Sequence, residues 1–74
     1  MTWDTIRKRM RRRREALGWT QEEAAFHCDV GRNSIGSWET GKINPSVPIF
    51  LKWCEGLEID PARVLASRAP PDAG

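Results

Sequence analysis

Apolar residues recur along this chain at helical spacing, and each run is closed by a residue that ends a helix. Ile6, Met10 and Leu17 fall at steps of four and seven, one stripe of a helix over residues 4–17. Asp4 stands where a cap belongs and Gly18 where the helix must stop. Thr20 and Glu23, three apart, form a capping box at the head of a second helix, followed by the small residues Ala24, Ala25 and Cys28. Asp29-Val30-Gly31 interrupts that helix with two turn formers around an apolar anchor. A third helix is predicted over residues 32–40, with Ile35 and Trp38 facing inward and Gly41 as its C-terminal cap. A loop over residues 42–45 leads to a fourth helix over residues 46–56, capped by Ser46. Its predicted apolar face is Val47, Phe50, Leu51, Cys54 and Leu57. Asp60-Pro61 then reads as a cap followed by proline at the first helical position. It opens a short fifth helix, to residue 67, docked by Val64 and Leu65. No strand-like alternation and no internal repeat is present, so the fold class is all-α, five helices in one domain over residues 1–67. Residues 68–74, rich in proline and poor in large apolar side chains, are expected to be a disordered tail.

One charge breaks the first stripe. Arg14 follows Met10 by four and precedes Leu17 by three, which places a cation on the core face. An unpaired buried charge costs several kcal/mol, so Arg14 needs an acid. Glu39, next to the inward Trp38, is the partner the pattern offers. The other bases of the first helix (Arg7, Lys8, Arg9, Arg11, Arg12 and Arg13) are expected to point outward around it. Residues 1–14 hold seven basic groups and one acid, the remainder five basic and nine acidic, so a net charge of +2 conceals a basic first helix on an acidic body. Like charges four apart repel by roughly 0.2–0.5 kcal/mol per pair. Contact with an anionic partner therefore explains the cluster better than solubility does.

Length and composition narrow the function. A chain of 74 residues buries only about 60% of its unfolded surface, which leaves no room for an enclosed active site. No nucleophile with a base, no carboxylate pair and no phosphate-binding glycine loop can be assembled, and no enzyme activity is expected. There is no apolar run approaching about eighteen residues and no secretory pattern at the start, so the expected compartment is the cytoplasm, without membrane insertion. Cys28 and Cys54 fall among apolar residues and read as buried free thiols. With His27 they are too few to ligate zinc, and neither metal nor cofactor is expected.

Residues 20–42, TQEEAAFHCDVGRNSIGSWETGK, are thus two short helices across a tight turn, the second with small polar side chains on its outer side. That is a helix-turn-helix, and it points to double-stranded DNA. The segment resembles the phage Cro and repressor family, also called the xenobiotic-response-element (XRE) family. The resemblance rests on Arg14, Thr20-Gln21-Glu22-Glu23, Ala25, Val30, Ile35, Trp38-Glu39 and Gly41-Lys42, and continues through Pro45-Ser46, Leu57, Ile59 and Leu65. It implies a five-helix domain whose third helix enters the major groove, and the same Arg14–Glu39 pair. The chain departs from the family pattern at Asp29, where glycine is usual, at Gly31, where a Ser or Thr cap is usual, and at Gly36 inside the recognition helix.

The resemblance makes Arg32, Asn33, Ser34 and Ser37 the candidates for base contact, since these side-chain types pair with base edges in the major groove. Gln21, Thr40, Lys42 and Asn44 are the candidates for phosphate contact. Gln21 lies in the first turn of a helix, where amides and dipole favour an anion. The expected function is a DNA-binding transcriptional regulator, a repressor acting as a homodimer on a two-fold operator and associated with the nucleoid. The alternative is an antitoxin-like or accessory module that holds a protein partner through Phe26 or the fifth helix. A third is non-specific binding of nucleic acid or a membrane surface through the basic helix. Phe26 stands where the family has a polar residue; it either covers Trp19 or meets a partner. His27 reads as a surface residue, and Trp3, Trp19 and Trp53 as core or core rim.

Overall fold

The computed structural model describes residues 2–66, and among them the chain is entirely helix, turn and loop. The elements are α1 (Trp3–Ala16), α2 (Gln21–Cys28), α3 (Ser34–Thr40), α4 (Val47–Gly56) and α5 (Pro61–Val64). Residues 68–74, expected to form a disordered tail, lie outside the described residues.

Thr2, not Asp4, caps α1: its extended backbone lets the side-chain oxygen accept from the Thr5 amide at 3.3 Å. Asp4 is left in the first turn, where the helix dipole favours an acid. Gly18, at φ +75°, ends the segment as expected. The capping box on α2 is complete. Thr20 Oγ1 accepts from the Glu23 amide at 3.1 Å, and the Thr20 amide donates to Glu23 Oε1 at 2.9 Å. Those bonds, to the backbone of Thr20 first, hold the Glu23 carboxyl below its ordinary range. Asp29 closes α2 in the left-handed region at φ 56°, so the aspartate performs the turn that glycine usually makes.

The third helix starts later than the sequence suggests. Gly31 has no side-chain acceptor, and its carbonyl instead closes a turn onto the Ser34 amide at 3.0 Å. Arg32 and Asn33 therefore belong to that turn, and Asn33 occupies the cap position without a side-chain cap bond. At α4 the cap position is Ser46, but its hydroxyl makes no cap bond. Proline at Pro48 removes one of the two amides such a cap would use.

Two expected core faces also shift. On α4 the buried side chains are Phe50, Trp53 and Cys54, with Leu57 just beyond, while Val47 and Leu51 are 70% and 47% exposed. The indole of Trp53, fully buried and 5.0 Å from Trp38, draws the helix onto its own side. At the C-terminal end α5 is one turn long. Val64 is buried, and Leu65 is exposed rather than docked. The core gathers Ile6 and Met10 from α1, Ala24, Ala25 and Cys28 from α2, Ile35 and Trp38 from α3, and the α4 and α5 residues above. Trp3 and Trp19 sit at its rim. Both thiols are free and buried, and burial pushes Cys28 up to about 11 and Cys54 up to about 12.

The basic helix is the largest departure from expectation. Besides Arg14, three arginines expected to point outward turn inward. Arg9 donates to the Val64 and Ala66 carbonyls at 2.8 and 2.6 Å, and Arg13 to the Leu57 and Glu58 carbonyls at 2.9 and 3.2 Å. These are carbonyls left at the ends of α4 and α5, which a helix cannot satisfy by itself. Arg7 is also largely covered. Only Lys8, Arg11 and Arg12 remain exposed, with Arg11 3.4 Å from Glu15. Guanidinium groups serving as caps for other elements account for much of a cluster that the sequence assigns to phosphate.

Candidate nucleic-acid interface

Ile35 and Trp38 anchor α3 in the core, which leaves Gly36, Ser37 and Thr40 on its other sides. The helix is held by one carboxylate. Glu39, whose side chain is 4% exposed, accepts from Arg14 Nε at 2.7 Å and from Arg14 Nη2 at 3.0 Å. Its Oε1 also accepts from Gln21 Nε2 at 3.2 Å, and Arg14 Nη1 reaches the Trp19 carbonyl at 2.7 Å. One acid thereby joins α1, α2 and α3. The bond to Glu39 outweighs desolvation and raises the Arg14 pKa above its ordinary value.

Gly36 has a structural reason to lack a side chain. A Cβ there would stand 3.1 Å from Gln21 Oε1. The glutamine thus lies across the backbone of α3 on its way to Glu39, and the glycine keeps that path open. The amide expected to meet phosphate is therefore already oriented by the structural pair beneath it.

The remaining candidates divide by accessibility. Arg32 is exposed in the turn before α3, with only a loose contact to Glu22 at 3.7 Å between two well-solvated side chains. Asn33 is exposed at the head of the helix, and Ser34 and Ser37 are half-buried. Arg32 and Asn33 thus lie in the turn that leads into α3, and Ser34 and Ser37 in its first turn. Lys42 is exposed in the following loop. Thr40 is differently engaged: its hydroxyl donates to the Gly36 carbonyl at 2.8 Å, which leaves no proton for a phosphate in this arrangement. Asn44 is exposed but accepts from Arg7 Nη2 at 3.0 Å. Sequence reasoning placed Arg7 among the outward bases and missed this contact. The only signal for it was the lone acid three residues earlier, since Asp4 bonds Arg7.

Phe26 does not cover Trp19. It is 82% exposed, whereas His27 stacks on Trp19 with ring centres 3.9 Å apart and planes 2° from parallel. Among the described residues no group of histidine, cysteine and acidic side chains is arranged to hold a metal, and no helix is long and apolar enough to cross a membrane.

A helix-turn-helix family profile matches residues 10–64, from the core methionine of α1 to the buried valine of α5. The chain belongs to the XRE-type helix-turn-helix family. It is accordingly a DNA-binding domain, with α2 and α3 as the motif. Its fold is similar to that of a hypothetical transcription factor, NHTF, from Neisseria. That match has a TM-score of 0.81 at 26% identity, covering 93% of this chain and 76% of the other. It is also similar to the restriction-modification controller protein C.AhdI from Aeromonas hydrophila, with a TM-score of 0.78 at 32% identity, covering 85% and 96% respectively. No curated protein sequence matches this chain.

Proposed function

We propose that this protein is a sequence-specific transcriptional regulator, a repressor that binds a two-fold operator as a homodimer. It acts by occupancy rather than catalysis, in the cytoplasm at the nucleoid. The observation that carries this reading is the polar run of Arg32 and Asn33 in the turn before α3 and Ser34 and Ser37 in its first turn, on a helix clamped from below by Arg14, Glu39 and Gln21. A rigid helix with a short polar outer face can approach base edges closely, and base edges carry sequence. Lys42, Asn44 and Gln21, with Thr40 after rotation of its hydroxyl, are assigned to the flanking phosphates. Two similar structures described as a transcription factor and a controller protein support the regulatory role.

The test is selection of bound duplexes from a random pool. A dimer presents two recognition helices, so a pseudo-palindromic motif with half-site centres about 10 base pairs apart is expected. Retention of all sequences alike would overturn the specific-regulator reading. Phe26, at 82% exposure, keeps one other reading open, a module that holds a protein partner. That reading requires Phe26→Ser to abolish a defined complex while duplex binding is unchanged.

A further inference from the structure

Arg7 lies where α1 meets the end of the recognition helix. Its side chain is only 15% exposed, and its guanidinium covers Gly41, where a Cβ would stand 3.0 Å from Cζ and 3.1 Å from Nη2. Gly41 is the left-handed residue that ends α3, at φ +81°. The cation thus sits at the negative end of the α3 dipole and holds the exit of the helix. One edge of the guanidinium bonds Asp4, and Nη2 donates to Asn44 Oδ1 at 3.0 Å. Loop 41–44 is further pinned by the Ile43 amide, which donates to the Ser37 carbonyl at 3.2 Å.

An asparagine amide has two faces of opposite character, an acceptor oxygen and a donor nitrogen. A phosphate accepts hydrogen bonds and repels acceptors, so only one orientation of Asn44 suits it. We propose that Arg7 is a positioning residue for DNA binding: by engaging Oδ1 of Asn44 it holds the NH2 group outward as a preset phosphate donor. Asn44 is exposed and its nitrogen has no other partner among the described residues. Asp4 balances the charge of Arg7, so the arginine works through Asn44 and not as a phosphate ligand in its own right. This inference rests on the assignment of loop 41–44 to the DNA backbone.

The experiment measures affinity and its salt dependence for a labelled mixed-sequence duplex of about 24 base pairs, a little over two helical turns. Asn44→Asp is the decisive variant, because it keeps an oxygen for Arg7 while removing the donor. It should melt at or above the wild-type temperature yet bind at least about tenfold more weakly, the size of a lost hydrogen bond to a charged group. Arg7→Ala and Asn44→Ala should each weaken binding about tenfold, with the double variant no weaker than either. The salt slope of Arg7→Ala should stay at the wild-type value. A slope reduced by about 0.9 would make Arg7 a direct phosphate ligand and overturn the proposal, as would multiplicative losses in the double variant. Lys42→Ala separates the two levels. If Lys42→Ala weakens binding and Asn44→Asp does not, the positioning role alone falls. If every loop variant binds like wild type, the assignment of this loop to DNA falls with it.

Discussion

Arg14 and Glu39 form a two-pronged ion pair, 2.7 and 3.0 Å, with 12% and 4% of their side chains exposed, and it joins the first helix to the end of the recognition helix. Two charge-assisted bonds to one carboxylate in a covered site make this a strong and geometrically specific contact. Removing one partner leaves a buried charge without compensation. Arg14→Ala should lose about 3–5 kcal/mol, enough in so small a domain to abolish folding at moderate temperature. Denaturant titration followed by tryptophan fluorescence measures it. A midpoint close to wild type would show that the pair is dispensable.

Gly36→Ala sets helix propensity against contact. Alanine gains about 1 kcal/mol over glycine inside a helix. Here the new methyl meets Gln21 Oε1 at 3.1 Å, so the glutamine must give by a few tenths of an ångström, which strains its bond to Glu39. The net gain should therefore fall short of about 1 kcal/mol, and affinity for duplex DNA should drop as Gln21 leaves its preset position. Affinity unchanged in a folded variant would free Gly36 of any part in binding.

Gly56 makes the opposite case. It ends α4 directly over α2, and a Cβ would stand 2.4 Å from Cys28 Sγ and 2.6 Å from Cys28 Cα. The backbone Cα cannot yield without moving α2. Gly56→Ala should destabilise by about 1–3 kcal/mol, an overpacking cost, despite the better helix propensity of alanine. Thermal melts of this variant beside Gly36→Ala should shift in different directions or by clearly different amounts.

The thiols report on opening. Burial raises Cys28 to about 11 and Cys54 to about 12, so neither is a nucleophile at neutral pH. Labelling by a thiol reagent should track unfolding, with both cysteines reacting together. Raised folded-state values also carry a stability cost at high pH. Above the ordinary 9.0 the unfolded thiols lose protons that the folded ones keep, so stability should decline as pH climbs through about 11. Fast labelling of the native protein at pH 7 would contradict this burial.

Base readout and charge neutralisation have different signatures. Arg32→Ala should cost about 1–3 kcal/mol on the preferred site and relax selection at roughly one or two base pairs. Lys42→Ala should weaken binding to all sequences alike and lower the salt slope by about one. Competition assays at several salt concentrations separate them. Identical behaviour of the two variants would leave the turn before α3 without a role in specificity.

Local signals were legible in the chain itself. The Thr20–Glu23 capping box, the stops at Gly18 and Gly41, and the Asp60-Pro61 start each need only a few neighbouring residues. The Arg14–Glu39 pair was legible too, because a charge on an apolar stripe must have an acid and few acids lie at a core face. Tertiary structure decided what depends on distant backbone. Arg9 and Arg13 serve carbonyls 44 to 57 residues away, and no periodicity within α1 distinguishes them from the exposed Lys8 and Arg12. The same holds for Gly36 and Gly56, whose partners are Gln21 and Cys28 on another helix, and for His27 in place of Phe26 over Trp19. On α4, spacing admitted both Leu51 and Trp53, and the large indole took the interior because it had Trp38 to pack against. Helix ends are written in short-range hydrogen bonding, whereas the outward or inward fate of a long side chain depends on which acceptors the assembled fold brings within reach.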